Sequence, residues 1–340
     1  MAETLSPGEL LRVLRDPTRT EQRSLLFGAP SVAVDLTAAL PPGAAGATGW
    51  DALSELPCVS IGVAETGVAP PAPALAAAVD LVVASAEERA LVEQRIAASP
   101  LASLLLVQLL RRSLLRGVAE GLLAESLAYS TLQAGPEFAA FRARYSPREC
   151  ESSDEPPLLV RRDGDALHMR LNRPEKRNAF SAALRDALCE ALALVLADES
   201  VTRVLLSGAG PSFCSGGDLD EFGTLPDPAT AHAIRSTRNA ALLLARCAPR
   251  VEAHVHGACV GAGAELPAFC RRVIAAPDAF FQLPEVGLGL VPGAGGTVSL
   301  PRRIGRQRTA WLALTGRPLS AEDARAFGLV DEIRAGRACY

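Results

Sequence analysis

Two carboxylates, Glu265 and Glu285, stand beside glycine-rich runs in the stretch His254 to Thr297, HVHGACVGAGAELPAFCRRVIAAPDAFFQLPEVGLGLVPGAGGT. Gly261 and Gly263 fall where a helical pattern carrying Glu265 begins, and glycine allows backbone conformations and close approaches that other residues resist. The first N–H groups of a helix lack intrahelical partners. With the helix dipole behind them they favour a developing negative charge. That is the requirement of an oxyanion hole, in which one lost donor raises the barrier by about 2.7–4 kcal/mol. A carboxylate and a carboxylic acid in the same pocket would supply a general base and a general acid. The plainer alternative is a packing turn in an α/β domain, with two solvated glutamates.

A second stretch, residues 204–219, reads VLLSGAGPSFCSGGDL: a strand, a glycine turn and an acidic residue. With it the chain resembles the enoyl-CoA hydratase/isomerase (crotonase) superfamily. Five blocks carry the resemblance in order: LNRPEKRNAFS (171–181), GAGPSFCSGGDLDEF (208–222), HGACVGAGAEL (256–266), DAFFQLPEVGLGLVPGAGGT (278–297) and GRPLSAEDARAFGLVDEI (316–333). It implies a spiral of ββα units and the hydration, dehydration or double-bond isomerisation of an α,β-unsaturated acyl-CoA thioester. By resemblance, Glu265 and Glu285 are the acid/base pair, and the backbone N–H groups of Gly217 and Ala262 form the oxyanion hole. Arg173, Lys176, Ala179, Ser215, Asp218, Leu219 and Asp220 match positions near the acyl-CoA. Arg235 and Arg238 fall in the region that shapes the acyl pocket, with Leu283 to Leu290 as another part of its wall. The resemblance implies no cofactor beyond the coenzyme A of the substrate, no metal, and a homo-oligomer, a trimer or a dimer of trimers.

Two departures stand out. Ala262 replaces a more usual glycine. Pro267 follows Glu265 by two residues, where a proline removes a donor and can bend a helix. The LPAF and FFQLPE runs also resemble a small branch of cofactor-independent dioxygenases acting on arylacetyl-CoA, which carry an extra N-terminal domain. A non-catalytic acyl-CoA-binding subunit is the third reading. His254 and His256 share one face of a strand, with nothing nearby to complete a metal site.

These residues need elements to position them. The pattern predicts a hairpin over 158–162 and 166–171, a helix over 181–196, and strands over 201–207, 251–255 and 273–276. Upstream, strands are expected over 31–36, 59–64 and 79–84, and a loop over 40–50. Pro70 to Pro73 are expected to prevent a regular helix start. Helices are expected over 87–144, interrupted near Ser99-Pro100 and Gly135-Pro136. The polar run 146–157 is the expected boundary between a module at 1–152 and a catalytic core at 153–340.

The first half echoes the second: LPCVSIGVAE (56–65) sets beside CAPRVEAHVHGA (247–258), and AAVDLVVAS (77–85) beside PAFCRRVIAAP (267–277). The helical run 93–147 resembles the helices that in ordinary crotonases follow the GLVDEI block. The expectation is a degenerate crotonase-like module whose helices serve as lid and subunit contact. With no glutamate echoed at the site, it is expected to take no part in catalysis.

Composition bounds the rest. The chain has 340 residues, 49% of them hydrophobic, and a net charge of −4, which gives no reason to expect nucleic acid. Its eight cysteines form no C-x-x-C pair and read as buried reduced thiols. The start lacks the pattern of a signal peptide, and Leu101 to Leu115 is too short and too charged to span a bilayer. A cytoplasmic protein without membrane contact is expected.

Overall fold

The computed structural model describes residues 3–41, 49–65, 67, 70–147 and 154–335. Much of the loop expected over 40–50 and of the linker over 146–157 lies outside them, as do Cys150 and Cys339. The first half opens with β1 (Thr4–Leu5), α1 (Pro7–Leu14), α2 (Pro17–Gln22), β2 (Ser31–Asp35), β3 (Val59–Val63), α3 (Pro73–Ala78) and β4 (Leu81–Val83). The strands form one parallel sheet in the order β1-β2-β3-β4. Four helices follow: α4 (Ala86–Ala98), α5 (Pro100–Arg111), α6 (Val118–Gln133) and α7 (Pro136–Arg144).

The second half comprises β5 (Leu158–Asp163), β6 (Ala166–Leu171), α8 (Ala182–Ala197), β7 (Arg203–Gly208), α9 (Pro228–Thr237), α10 (Ala240–Cys247), β8 (Val251–Val255), β9 (Ala258–Val260) and α11 (Ala262–Glu265). It continues through β10 (Arg272–Ala275), β11 (Phe280–Gln282), α12 (Gly296–Ile304), α13 (Arg306–Thr315), β12 (Leu319–Ser320), α14 (Ala321–Phe327) and β13 (Glu332–Ile333). Six strands make a sheet in the order β13-β10-β8-β7-β6-β5, and a second, three-stranded sheet runs β12-β11-β9. Only the β5–β6 hairpin is antiparallel in the larger sheet.

Local chemistry explains most boundaries. Ser85, Ser181 and Ser320 accept N–H bonds from Glu88, Leu184 and Asp323 and so cap α4, α8 and α14. Pro7, Pro17, Pro73, Pro100, Pro136 and Pro228 each open a helix. At the first helical position the missing N–H would have been unpaired anyway. This corrects the expectation at Pro70 to Pro73, where Pro73 begins α3 instead of preventing it. The six described cysteines are buried free thiols, and burial pushes those of Cys58, Cys214 and Cys270 up to about 12. No single described helix is long and apolar enough to cross a membrane.

One register offset recurs in the sheets of the two halves. In the first half Ile61 pairs with Leu81 across β3 and β4. In the second Glu252 pairs with Arg272 across β8 and β10, the same offset in the same parallel sense. Between those strands the first half has α3, and the second has β9 and α11.

The two halves share one apolar core, in which Ile61, Leu81, Ile96 and Leu106 join Leu167, Leu206, Val298 and Leu312. Polar contacts fasten the seam. The Gln307 amide donates to the carbonyls of Ala76 and Val79 at 2.7 and 2.9 Å. Asp80 is 2% exposed and pairs with Arg111 at 2.7 Å. It also accepts from Ser60 N–H and hydroxyl, and stands 3.8 Å from Arg306. One buried carboxylate thus ties β3 and β4 to α5 and α13.

Candidate active site

The register of β9 on β11 builds the site. Val260 pairs with Gln282, and Gly261 N–H donates to the Gln282 carbonyl at 2.9 Å. The chain then leaves both strands from adjacent points, through α11 to Glu265 and through Pro284 to Glu285. Gly261 turns at φ +49° and ψ −118°, a conformation open to glycine and strained for other residues. α11 is a single turn that ends on Glu265, and Pro267 opens a separate 3-10 turn. The proline therefore lies beyond the helix and leaves the Glu265 turn intact.

Neither expected oxyanion donor is spent on the chain's own hydrogen bonds among the described residues. Phe180 N–H donates to Gly216 at 2.7 Å and Asp218 N–H to Phe180 at 3.2 Å, so the intervening N–H of Gly217 points away from that bridge. Ala262 is the first residue of α11 and has no turn behind it. Neither N–H donates to another group among the described residues. A side-chain carbon on Gly261 would lie only 3.4 Å from the Gly216 Cα. Residues 217 and 262 follow these two glycines, and both line the same cavity as Glu265 and Glu285.

Glu265 is 2% exposed, and its Oε2 accepts from the N–H groups of Ala294 and Gly296 at 2.7 and 2.8 Å. Glu285 is 9% exposed, and its Oε2 has no partner among the described residues. Burial pushes the Glu285 carboxyl up to about 8, with the negative charge of Glu125 adding to the shift. Burial, then the charges of Glu285 and Glu125, push Glu265 well above the usual carboxylate range, against the pull of its two N–H partners. Three carboxyls so placed do not all ionise near neutrality and titrate as a unit.

The cavity measures about 200 Å³. Phe222, Leu225 and Leu266 supply apolar lining, and Arg185, Arg235 and Arg238 a basic end. Of the run Leu283 to Leu290 only Glu285 lines it; Leu283 and Leu290 are fully buried in the core. The residues expected around the ligand form a self-neutralising cluster outside the cavity lining. Arg173 donates to the Ala179 carbonyl at 2.9 Å and to Asp218 at 3.0 Å, and Lys176 donates to Asp220 at 2.8 Å and Asp218 at 3.4 Å. Ser215 and Leu219 hold this loop through Ser215 N–H to Arg177 and Arg142 to the Leu219 carbonyl. His254 pairs with Glu252, and His256 with the Gly210 carbonyl.

Sequence reasoning missed one wall. Leu122, Glu125, Ser126, Tyr129 and Gln133 of α6 line the cavity, so the half expected to take no part in the chemistry faces it. Glu125 Oε1 accepts from Gly295 N–H at 2.7 Å. Its Oε2 accepts from Thr297 N–H at 2.9 Å and hydroxyl at 2.6 Å. The Arg235 guanidinium lies over the Tyr129 ring at 4.8 Å and donates to the Ser126 hydroxyl and the Gln133 side-chain amide oxygen, clipping α9 to α6. The available signal was Glu125 itself: three residues from Leu122, four from Tyr129 and seven from Leu132, it is a carboxylate on the apolar face of a helix. Glutamate rarely occupies such a face without a partner.

The family model for enoyl-CoA hydratase/isomerase matches residues 162–338. The chain belongs to the enoyl-CoA hydratase/isomerase family. It is 36% identical to the 2,3-dehydroadipyl-CoA hydratase of Escherichia coli (strain K12) over 176 residues, 52% of this chain and 68% of that one. To YngF of Bacillus subtilis (strain 168) it is 36% identical over 166 residues, 48% of this chain and 64% of that one. Among solved structures, an enoyl-CoA hydratase from Mycobacterium smegmatis matches with a TM-score of 0.50 and 36% identity, over 53% of this chain and 71% of that one. The chain thus spans about two thirds of the length of these hydratase-family relatives, and its own first half lies largely outside the matches.

Proposed function

We propose that this chain adds water across the double bond of an α,β-unsaturated acyl-CoA thioester, or removes it in reverse. The observation that carries the reading is the meeting of two backbone N–H groups not bonded within the described chain, those of Gly217 and Ala262, with two buried glutamates in one cavity. The thioester oxygen would take both N–H groups, drawing electrons from the double bond and leaving the β-carbon open to attack. Glu265 and Glu285 are both pushed above the usual carboxylate range, so the pair is suited to hold one shared proton near neutrality, and its ionised member takes the proton from the attacking water. The protonated member delivers its proton to the α-carbon, and Glu285, pushed up to about 8 with an oxygen that has no partner among the described residues, is suited to that part. The two steps balance: hydroxide joins the β-carbon, a proton joins the α-carbon, and the net proton passes between the glutamates through water. The reaction asks for no cofactor beyond the coenzyme A of the substrate.

A homo-oligomer, as a trimer or dimer of trimers, is part of the proposal. Exposed Leu114, Leu115, Leu123 and Leu127 on and before α6 support it. The test follows loss of the ultraviolet band of the conjugated enoyl thioester with crotonyl-CoA. Wild type should hydrate it, and Glu265→Gln and Glu285→Gln should each lower kcat by about 10²–10⁴. Tight binding of crotonyl-CoA without turnover would overturn the reading in favour of a non-catalytic binding role.

A further inference from the structure

We infer that Glu125, from the N-terminal half, is the third carboxylate of this site and acts as a positioning residue that fixes the turn gripping Glu265. The inference rests on the hydratase reading for its effect on rate, and on geometry for the grip itself.

Four successive N–H groups at the start of α12 alternate between two carboxylates. Ala294 and Gly296 donate to Glu265. Gly295 and Thr297 donate to Glu125. α12 opens on Gly295, which has no side chain to cap it, so both caps come from elsewhere in the chain. Capping alone would need one short polar side chain at the helix start. A second buried carboxylate is a costly substitute, and its placement gives it a consequence a serine could not have. With Gly295 and Thr297 held from one side, the N–H groups of Ala294 and Gly296 are held to the other, and Glu265 Oε2 is fixed. Its Oε1 is then left for the water. Release of two of the four donors would let the turn relax, and a displacement of about 1 Å at a reacting group can cost about 10²-fold in rate.

Glu125 also bears on the protons. The charged and titratable groups facing it are Glu265 and Glu285 across the cavity, Tyr129 on its own helix, and Arg235 on α9, while His232 of α9 bonds the neighbouring Ser126. Arg302 of α12 is turned away, onto the Val298 and Arg116 carbonyls. Removing the Glu125 charge takes a negative neighbour from both catalytic carboxyls, so their titration moves to lower pH.

The test is Glu125→Gln in the full chain with crotonyl-CoA. The expected result is a fall in kcat of about tenfold or more with KM within about threefold, and a pH–rate profile displaced to lower pH. Glu125→Asp, with the charge retained, should restore the position of the profile while leaving kcat reduced. An unchanged profile with kcat within about twofold would overturn the inference. If Glu125→Gln does not fold, Glu125→Asp and Thr297→Val test the grip through kcat alone, since both keep the charge and the latter removes only the hydroxyl contact; kcat within about twofold of wild type in both would overturn the inference. A parallel measurement is independent of turnover: hydrogen exchange at the amides of 294–297. Faster exchange there in the variants upholds the grip even if wild type hydrates no enoyl-CoA, a result that sinks only the functional reading; unchanged exchange sinks the grip.

Discussion

The Cα of Gly261 faces the carboxylate of Glu285 with no room for a methyl group between them. The same residue carries the positive φ that aims α11, so one position serves the turn and the acid together. Gly261→Ala should displace Glu285 and strain the turn. The expected outcome is a loss of crotonyl-CoA hydration of about 10²-fold, with Tm lowered by several degrees in calorimetry.

Stability should fall as pH rises through neutrality. Glu285 has a folded value of about 8 against an ordinary 4.5, and Glu125 one of about 7. Between the unfolded and folded values the folded state binds more protons than the unfolded chain, so the slope of unfolding free energy with pH is negative. Their contribution is complete below about pH 4.5 and is lost as pH passes 7 to 8. Thermal melts from pH 5 to pH 9 should show Tm declining over that window, with a shallower decline in Glu285→Gln.

Asp80 makes a prediction far from the chemistry. It is buried, paired with Arg111, and bonded to Ser60. Removing one partner of a buried pair typically costs about 3–5 kcal/mol, because the other charge is left uncompensated. Asp80→Asn should lower the urea midpoint accordingly. Any enzyme still folded should keep KM and the pH profile unchanged, which separates this site from Glu125.

The division at 1–152 and 153–340 is our proposal, and the shared core predicts how the parts behave. Val298 packs against α6 closely enough that a side-chain carbon on Gly121 would collide with it. Residues 153–340 expressed alone should bind a hydrophobic dye and hydrate no enoyl-CoA, and co-expression with 1–152 should restore activity. A soluble, active 153–340 fragment would show the first half to be dispensable.

The sequence made the second half legible because its site is local. Gly217, Ala262, Glu265 and Glu285 lie in short runs that carry the family resemblance, from which their expected roles came, and the pairing of Val260 with Gln282 needs only neighbouring strands. Three strands of the first half and its later helices were also readable from periodicity, with the breaks at Pro100 and Pro136, but β1 and α3 were not. Glu125 was not, because its partners at Gly295 and Thr297 come from the far end of the chain. Apolar spacing tells which face of α6 is buried, but not against what. Pro73 was misread for a simpler reason: a proline that breaks a helix interior can begin one.

The order of the chain also has a meaning in time. α6 carries Glu125, but the amides that bind it are 170 and 172 residues downstream. At a synthesis rate of about 5–20 residues per second, the helix emerges about 10–35 s before its partners exist. Through that interval Leu122, Leu132 and the Glu125 carboxylate have no α12 to meet, and the nascent chain presents a bare apolar helix to the cell. The last third of the polypeptide therefore completes the active site and also ends the period in which the growing chain is most open to chaperones and to misassembly.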